Sequence, residues 1–424
     1  MAGPPASCVV AVPQDARKPR LSHFLTNLSG QVLPYGLAFI ATPFIYRWRT
    51  PSEAALWALW VSTFLLLVIL ETAAVRTTVQ RLASRIAPGT LQAILLQHIR
   101  LGTAVSIGGL GLVLIAAWTI PLLQTTDAIL SFASFAPLSL LMLANGVFRG
   151  ALDAEHRFQA SQGAAAFASG GVIVVGLAAA YFGFPVSAVA ASAILLRTTS
   201  LLALWAMVGK PALVFGASMS GIRRQTSWMI LAALLGAGLL YFDRFALAAF
   251  AGPTRVASYA AMIDLVAGSQ IAASAAIATL FPTFAAAHAS NDRTLLAKSI
   301  LGLHVLLAAP LLLLAFLPRF ACGLYAGPVC DADAEEVLRI LSLGALLSSG
   351  APAASAWLQA KGRPDMLPKY YLVTAVPFSL AVILAASKGG PVALAVVAAV
   401  RALIDTLVIY RMAVGRNFQR STNA

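Results

Sequence analysis

Residues Tyr241 to Leu265 read YFDRFALAAFAGPTRVASYAAMIDL. Most of the stretch is apolar enough to sit in lipid, yet it carries Asp243, Arg244 and Asp264 and is broken by Gly252–Pro253. An ionisable side chain near the centre of a bilayer costs roughly 2.5 to 3.5 kcal/mol on insertion scales, so such groups face a partner or a water-filled cavity. The stretch therefore predicts two membrane helices joined by a short turn, with a polar task on their inner faces.

The rest of the chain agrees with a membrane setting. Its 424 residues are 60% hydrophobic and 10% charged, with a mean hydropathy of +0.85, values that exclude a water-soluble domain of this size. Runs of roughly 20 apolar residues, the length needed to cross ~30 Å of hydrocarbon, recur between short polar segments. They predict an all-α polytopic membrane protein with twelve spans, at about 24–45, 54–75, 101–123, 128–148, 163–182, 186–208, 227–248, 256–282, 299–318, 335–357, 369–387 and 391–413. Positive charge flanking spans stays on the cytoplasmic side. With both termini inside, cytoplasmic segments hold 20 of the 29 basic residues and outer loops hold five.

The net charge of +14 is thereby a signature of topology and anionic headgroups, not of nucleic acid. The tail up to Arg20 lacks the apolar run of a cleavable signal, so the first span is expected to serve as the insertion signal. Cys8 has no upstream apolar stretch, which excludes a lipobox. Cys322 and Cys330 share one predicted outer loop. A disulfide and two free thiols are both compatible with that spacing. The five histidines are scattered, and no spacing resembles a metal site or calls for a cofactor.

Two internal matches point to a duplication. PSEAALWALW from Pro51 aligns with PTRVASYAAM from Pro253 at a shift of 202, and LDAEHR from Leu152 aligns with LQAKGR from Leu358 at a shift of 206. Each pair stands at the same topological station. Two six-helix lobes around a central cavity follow, with boundaries 1–22 for the N-terminal tail, 23–210 and 211–414 for the lobes, and 415–424 for the C-terminal tail. Because six is even, their pseudo-two-fold axis runs along the membrane normal.

On these residues the chain resembles the Wzx-type polysaccharide flippases of the multidrug, oligosaccharidyl-lipid and polysaccharide exporter superfamily. The resemblance rests on Asp243, Arg244, Gly252 and Tyr259 in the opening stretch, on LYAGPVCDADAEEVLRILSLG with Gly327 and Pro328, on LQAKGR, and on Glu71 followed ten positions later by Arg81. Glu71 stands where the family favours Asp, and Ala73, Ala55 and Ala257 where it favours Gly. The resemblance implies a non-enzymatic transporter of the bacterial inner membrane. Its cargo would be a polyprenyl-pyrophosphate-linked oligosaccharide, moved to the outer leaflet for exopolysaccharide, capsule or O-antigen assembly by alternating access coupled to H+ or Na+. Membrane lipids and a polymerase of the same assembly line would be its partners.

Arg197 on span six and Arg401 on span twelve lie about ten residues deep on equivalent helices, which suggests a basic two-sided cavity between the lobes. Guanidinium groups suit a pyrophosphate linkage through paired donors. Arg401 has a local partner in Asp405, one helical turn on, whereas Arg197 has none nearby in sequence. Arg339 is expected to reach headgroups or to pair with Glu335 or Glu336. Asn27, Gln31 and Tyr35 stack on one face of the first span, for sugar hydroxyls or for helix packing. Arg244 completes the candidate substrate set. Asp264, Asp243, Asp405 and Glu71 are the candidates for ion coupling or gating, with Asp264 foremost.

Two other functions fit the same sequence less well. A small-molecule antiporter of the multidrug type shares the architecture, but its pockets for cations would not favour arginines. A membrane-embedded polymerase or ligase needs a sizeable outer loop, and the longest here, about 319–334, is short and carries no catalytic set.

Overall fold

The computed structural model describes residues 36–72, 100, 102–108, 110, 111, 115, 118–154, 157–208, 220–271, 273, 276, 277, 280, 284, 293–360 and 365–415. Among these the chain is helical throughout and holds no strand. The helices are α1 (36–48), α2 (Pro51–Ile69), α3 (Thr126–Ala133), α4 (Phe135–Ala154), α5 (Phe158–Ala165), α6 (Gly171–Phe182) and α7 (Val186–Val208) in the first half. The second half holds α8 (Ser220–Phe250), α9 (Pro253–Ser269), α10 (Arg293–Phe316), α11 (Pro318–Ala326), α12 (Ala332–Ser348), α13 (Ala351–Ala360), α14 (Met366–Lys388) and α15 (Gly390–Val414).

Eight helical segments among the described residues are long and apolar enough to cross a membrane. They coincide with spans two, four, five, six, nine, ten, eleven and twelve of the sequence reading, and α8 and α9 lie where spans seven and eight were expected. The helices generally outrun the apolar runs because polar residues close their ends. Thr50 and Glu53 form a reciprocal capping box at the start of α2, and Asp331 accepts from the Ala334 amide at the start of α12. Across the chain, the Asp127 carboxylate accepts from the Val186 and Ser187 amides at 3.2 and 2.8 Å, satisfying the first turn of α7. The expected loop at 319–334 is instead largely helical, as α11 and a 3-10 turn at Gly327–Val329. Cys322 and Cys330 are joined there by a disulfide.

Helix packing divides into two groups. In the first half α7 packs on α3, α4 and α6. In the second, α12 packs on α10 and α15, and α14 on α8 and α15. Between the halves, α2 lies along α9 and α8. The two segments aligned in the sequence, from Pro51 and from Pro253, thus face one another. Both helices begin with proline at their first turn, and Ala55 with Ala257, and Trp57 with Tyr259, are buried at matched positions.

The seal between them is close and apolar. All residues from Ala54 to Trp60 on α2 and from Val256 to Met262 on α9 are buried. Trp60 stacks on Phe64 and Phe135, and donates its indole N–H to the Ser131 carbonyl at 3.2 Å. Helix α1 leans on the second half through Phe39. Its ring occupies the space beside Gly268 where a Cβ would lie 2.0 Å from Cδ2. Trp118, Phe316, Val373 and Leu407 are exposed and apolar, as lipid-facing helices require.

Candidate functional site

The charges of the opening stretch form a polar lock between α2, α8 and α9. On a helix, neighbouring residues point about 100° apart, and Asp243 and Arg244 diverge accordingly. The Asp243 carboxylate accepts from the Tyr259 hydroxyl at 2.7 Å and from the Arg244 backbone amide at 2.7 Å, which fixes the end of α8 against α9. The Arg244 guanidinium points the other way. Its Nη2 donates to Asp264 at 2.7 Å and its Nη1 to Ser62 Oγ at 2.9 Å.

Ser62 and Asp264 stand 202 residues apart, the offset that aligns the stretches from Pro51 and Pro253. Arg244 therefore clasps two residues at matched positions, one on α2 and one on α9. Tyr46 on α1 adds a third tie, donating its hydroxyl to Asp264 at 3.3 Å. Arg244 is 2% exposed, whereas the Asp264 side chain keeps 22%. The lock sits about 16 Å along each helix from Pro51 and Pro253, at 1.5 Å per residue. It follows the buried run of each helix, and that distance is about half the ~30 Å of hydrocarbon that a spanning helix crosses.

A second network is buried entirely in the first half. Glu71 holds two guanidiniums, Arg149 at 2.7 Å and Arg197 at 2.8 Å. Arg197 also donates to Ser169 Oγ at 2.7 Å, and Arg149 to the Ser161 carbonyl at 3.2 Å. Asn145 donates to the Arg197 carbonyl and accepts from Ser200. Leu70–Thr72 and Ala166–Gly170 are both wound as π-helix. These two widened turns carry Glu71 and Ser169, and such turns are frequent where a helix must re-aim a functional side chain.

Arg401 belongs to a third cluster, anchored on α8 one helical turn before Asp243. It pairs with Asp405 at 3.3 Å as its helical spacing predicted, donates to the Leu239 carbonyl at 2.9 Å, and stacks over the Phe378 ring with 4.1 Å to the centroid. Tyr370 donates its hydroxyl to the other oxygen of Asp405 at 2.6 Å. Arg339 pairs with Glu336 at the surface.

Several sequence expectations are thereby revised. Arg197 has a partner after all: Glu71, distant in sequence but adjacent in the fold. The structure does not bring Arg197 and Arg401 to one cavity. Each bonds within its own half, and Arg197 is 1% exposed against 15% for Arg401. Asn27, Gln31, Tyr35 and Arg81 lie outside the described residues. Sequence reasoning missed Ser62, Tyr46, Arg149 and Ser169. Ser62 was findable by carrying the repeat offset back from Asp264, whereas Arg149 was taken for a loop residue because the apolar run ends at Phe148.

Among the described residues no group of three or more histidines, cysteines and carboxylates is placed to hold a metal ion.

No protein-family model matches the chain, and no curated protein matches it. Solved structures do. An inward-facing multidrug resistance MATE family transporter of the MOP superfamily superposes with a TM-score of 0.74 at 16% identity, over 92% of this chain and 93% of that one. The fold is MATE-like. An outward-facing structure of a multidrug resistance MATE family transporter gives a TM-score of 0.62 at 16% identity, over 92% and 94% of the two chains. A MOP superfamily transporter from Pyrococcus furiosus, described for the reverse polarity of its binding pocket, gives 0.68 at 16% identity over 92% and 94%.

Proposed function

We propose that the chain is an alternating-access transporter of the inner membrane, built as two six-helix lobes, that moves a polyprenyl-pyrophosphate-linked oligosaccharide from the inner to the outer leaflet under an ion gradient. The observation that carries the transport reading is the Arg244 lock. It ties the lobes at matched positions, next to the unbroken buried runs of α2 and α9 that begin near Pro51 and Pro253 and seal that end. With cytoplasmic termini, as the distribution of Lys and Arg implies, the sealed end faces outside. The higher TM-score against the inward-facing MATE structure, 0.74 against 0.62 for the outward-facing one, agrees with that state.

Asp264 suits the coupling role. It is the one carboxylate of the lock that combines partial exposure with a bond to the gate cation. Proton or Na+ binding there competes with Arg244, and a guanidinium left without its counter-charge in a buried setting destabilises the closed arrangement. The glycan-lipid assignment comes from the sequence motifs. Arg401, half-buried and beside aromatic rings, is the arginine best placed to meet an anionic linkage.

A second reading is a multidrug-type antiporter. It is favoured by a specific observation: Arg197, Arg244 and Arg401 each have a carboxylate partner, so the interior is not an unbalanced basic surface. The two are separated by reconstitution into vesicles. In one assay a fluorescent lipid-linked oligosaccharide is scored by its accessibility to an external glycosidase, and in the other a cationic dye is scored by uptake. Glycan flipping without dye uptake supports the first reading, and dye uptake alone replaces it with the second.

A further inference from the structure

We infer that the disulfide-closed segment Cys322–Cys330 is a clasp that grips the first span and helps hold the outer end shut. The inference rests on the transport reading above, since a clasp matters only where two halves part. The disulfide joins fully buried Cys322 to Cys330, eight residues on, and makes one ring of the last turn of α11 and the Gly327–Val329 turn. Two carbonyls of that ring, Gly323 and Leu324, accept from the Arg47 guanidinium at the end of α1. They belong to a helix C-terminus, where backbone carbonyls gather partial negative charge and favour a cation.

The rest of the ring is shaped to the same side chain. Gly327 has φ +58°, a backbone region that L side chains rarely adopt, and a Cβ there would fall 2.8 Å from Arg47 Cγ and 3.1 Å from Nε. The missing side chain is the slot for the arginine stem. Tyr325, also in the ring, packs its aromatic face near Phe39 of α1, with centroids 5.5 Å apart. Phe39 and Arg47 are eight residues apart, so the ring holds α1 at two levels roughly 12 Å apart along the helix axis. Helix α1 in turn delivers Tyr46 to Asp264 in the lock. The clasp thus reinforces the lock through α1, and the covalent bond keeps the α11 carbonyls and the Gly327 slot in register for Arg47.

The test is hydrogen–deuterium exchange on the purified full-length protein in nanodiscs, comparing the native chain, Arg47→Ala, the pair Cys322→Ser with Cys330→Ser, and Arg339→Ala as a surface control. The decisive amides are 55–62 of α2, which bond neither Arg47 nor the ring. Exchange there at least 5-fold faster in Arg47→Ala and in the cysteine pair, and unchanged in Arg339→Ala, is the expected result. Faster exchange confined to 36–48 and 318–330 would mean a local loosening and would overturn the clasp, as would no change anywhere. If the cysteine pair fails to fold, Arg47→Ala with the disulfide intact decides alone. The readout contains no substrate, so failure of the clasp and failure of the glycan-lipid assignment remain distinguishable.

Discussion

Ser62→Ala isolates the contact on which the gate reading turns. Ser62 Oγ donates to the Ala58 carbonyl within its own helix at 2.7 Å and accepts from Arg244 at 2.9 Å. The first bond exists whether or not the halves meet, so only the second distinguishes closed from open. A hydrogen bond to a charged group contributes about 1.5 to 3 kcal/mol, and here the acceptor is fully buried. Its loss shifts the closed-to-open equilibrium roughly 10- to 100-fold, at tenfold per about 1.4 kcal/mol. A chain that starts near 1:99 open to closed would rise to roughly 10 to 50% open.

Fluorescent non-natural residues at exposed Thr126 and Ala332, which start helices in opposite halves at the sealed end, report that population by energy transfer in single molecules. Thr63→Ala is the matched control, because among the described residues Thr63 bonds its own helix backbone, at the Leu59 carbonyl. The expected result is a low-transfer population that grows in Ser62→Ala and not in Thr63→Ala. Identical distributions in the two variants would refute the claim that the Arg244–Ser62 bond gates the halves.

Three further outcomes follow from the same geometry. Glu71→Gln leaves two buried guanidiniums facing a neutral amide and should lower unfolding stability in detergent by about 3 to 5 kcal/mol. Replacing Glu71, Arg149 and Arg197 together by Leu, Met and Met should recover most of that loss in the same denaturation assay. Asp264→Asn should reduce surface polysaccharide in a complementation assay while membrane levels of the protein stay normal; undiminished polysaccharide would remove Asp264 from the coupling role. Gly268→Ala forces a methyl group into the space held by the Phe39 ring, an overpacking that costs about 1 to 3 kcal/mol, and should appear as a lower melting temperature with faster exchange at 36–48.

The helices and the membrane setting were legible because hydrophobic length is a one-dimensional property, and a run such as Val186–Val208 announces itself without reference to any neighbour. The offset of 202 between the stretches from Pro51 and Pro253 was legible for the same reason, since an offset is read along the chain. What escaped was pairing across the fold. Glu71 and Arg197 meet from 126 residues apart, so a search confined to one helical turn found Asp405 for Arg401 and nothing for Arg197. Arg149 escaped because it caps an apolar run, where charge reads as loop although helix α4 continues to Ala154. The expected loop at 319–334 was misread because its helix is only nine residues long, too short for a strong periodic signal.

Arg244 reaching both Ser62 and Asp264 bears on how a doubled chain departs from its own symmetry. A faithful repeat would set an aspartate at each copy of the position, both within reach of one guanidinium. With Asp243 already buried beside Arg244, three carboxylates would then surround one cation, a build-up of negative charge that a low-dielectric interior penalises steeply. A serine in one copy and an aspartate in the other gives the guanidinium one neutral and one charged acceptor, and adds one carboxylate to the lock instead of two. Where two matched positions meet on one guanidinium, electrostatics favours unlike residues, and Ser62 and Asp264 are such a pair.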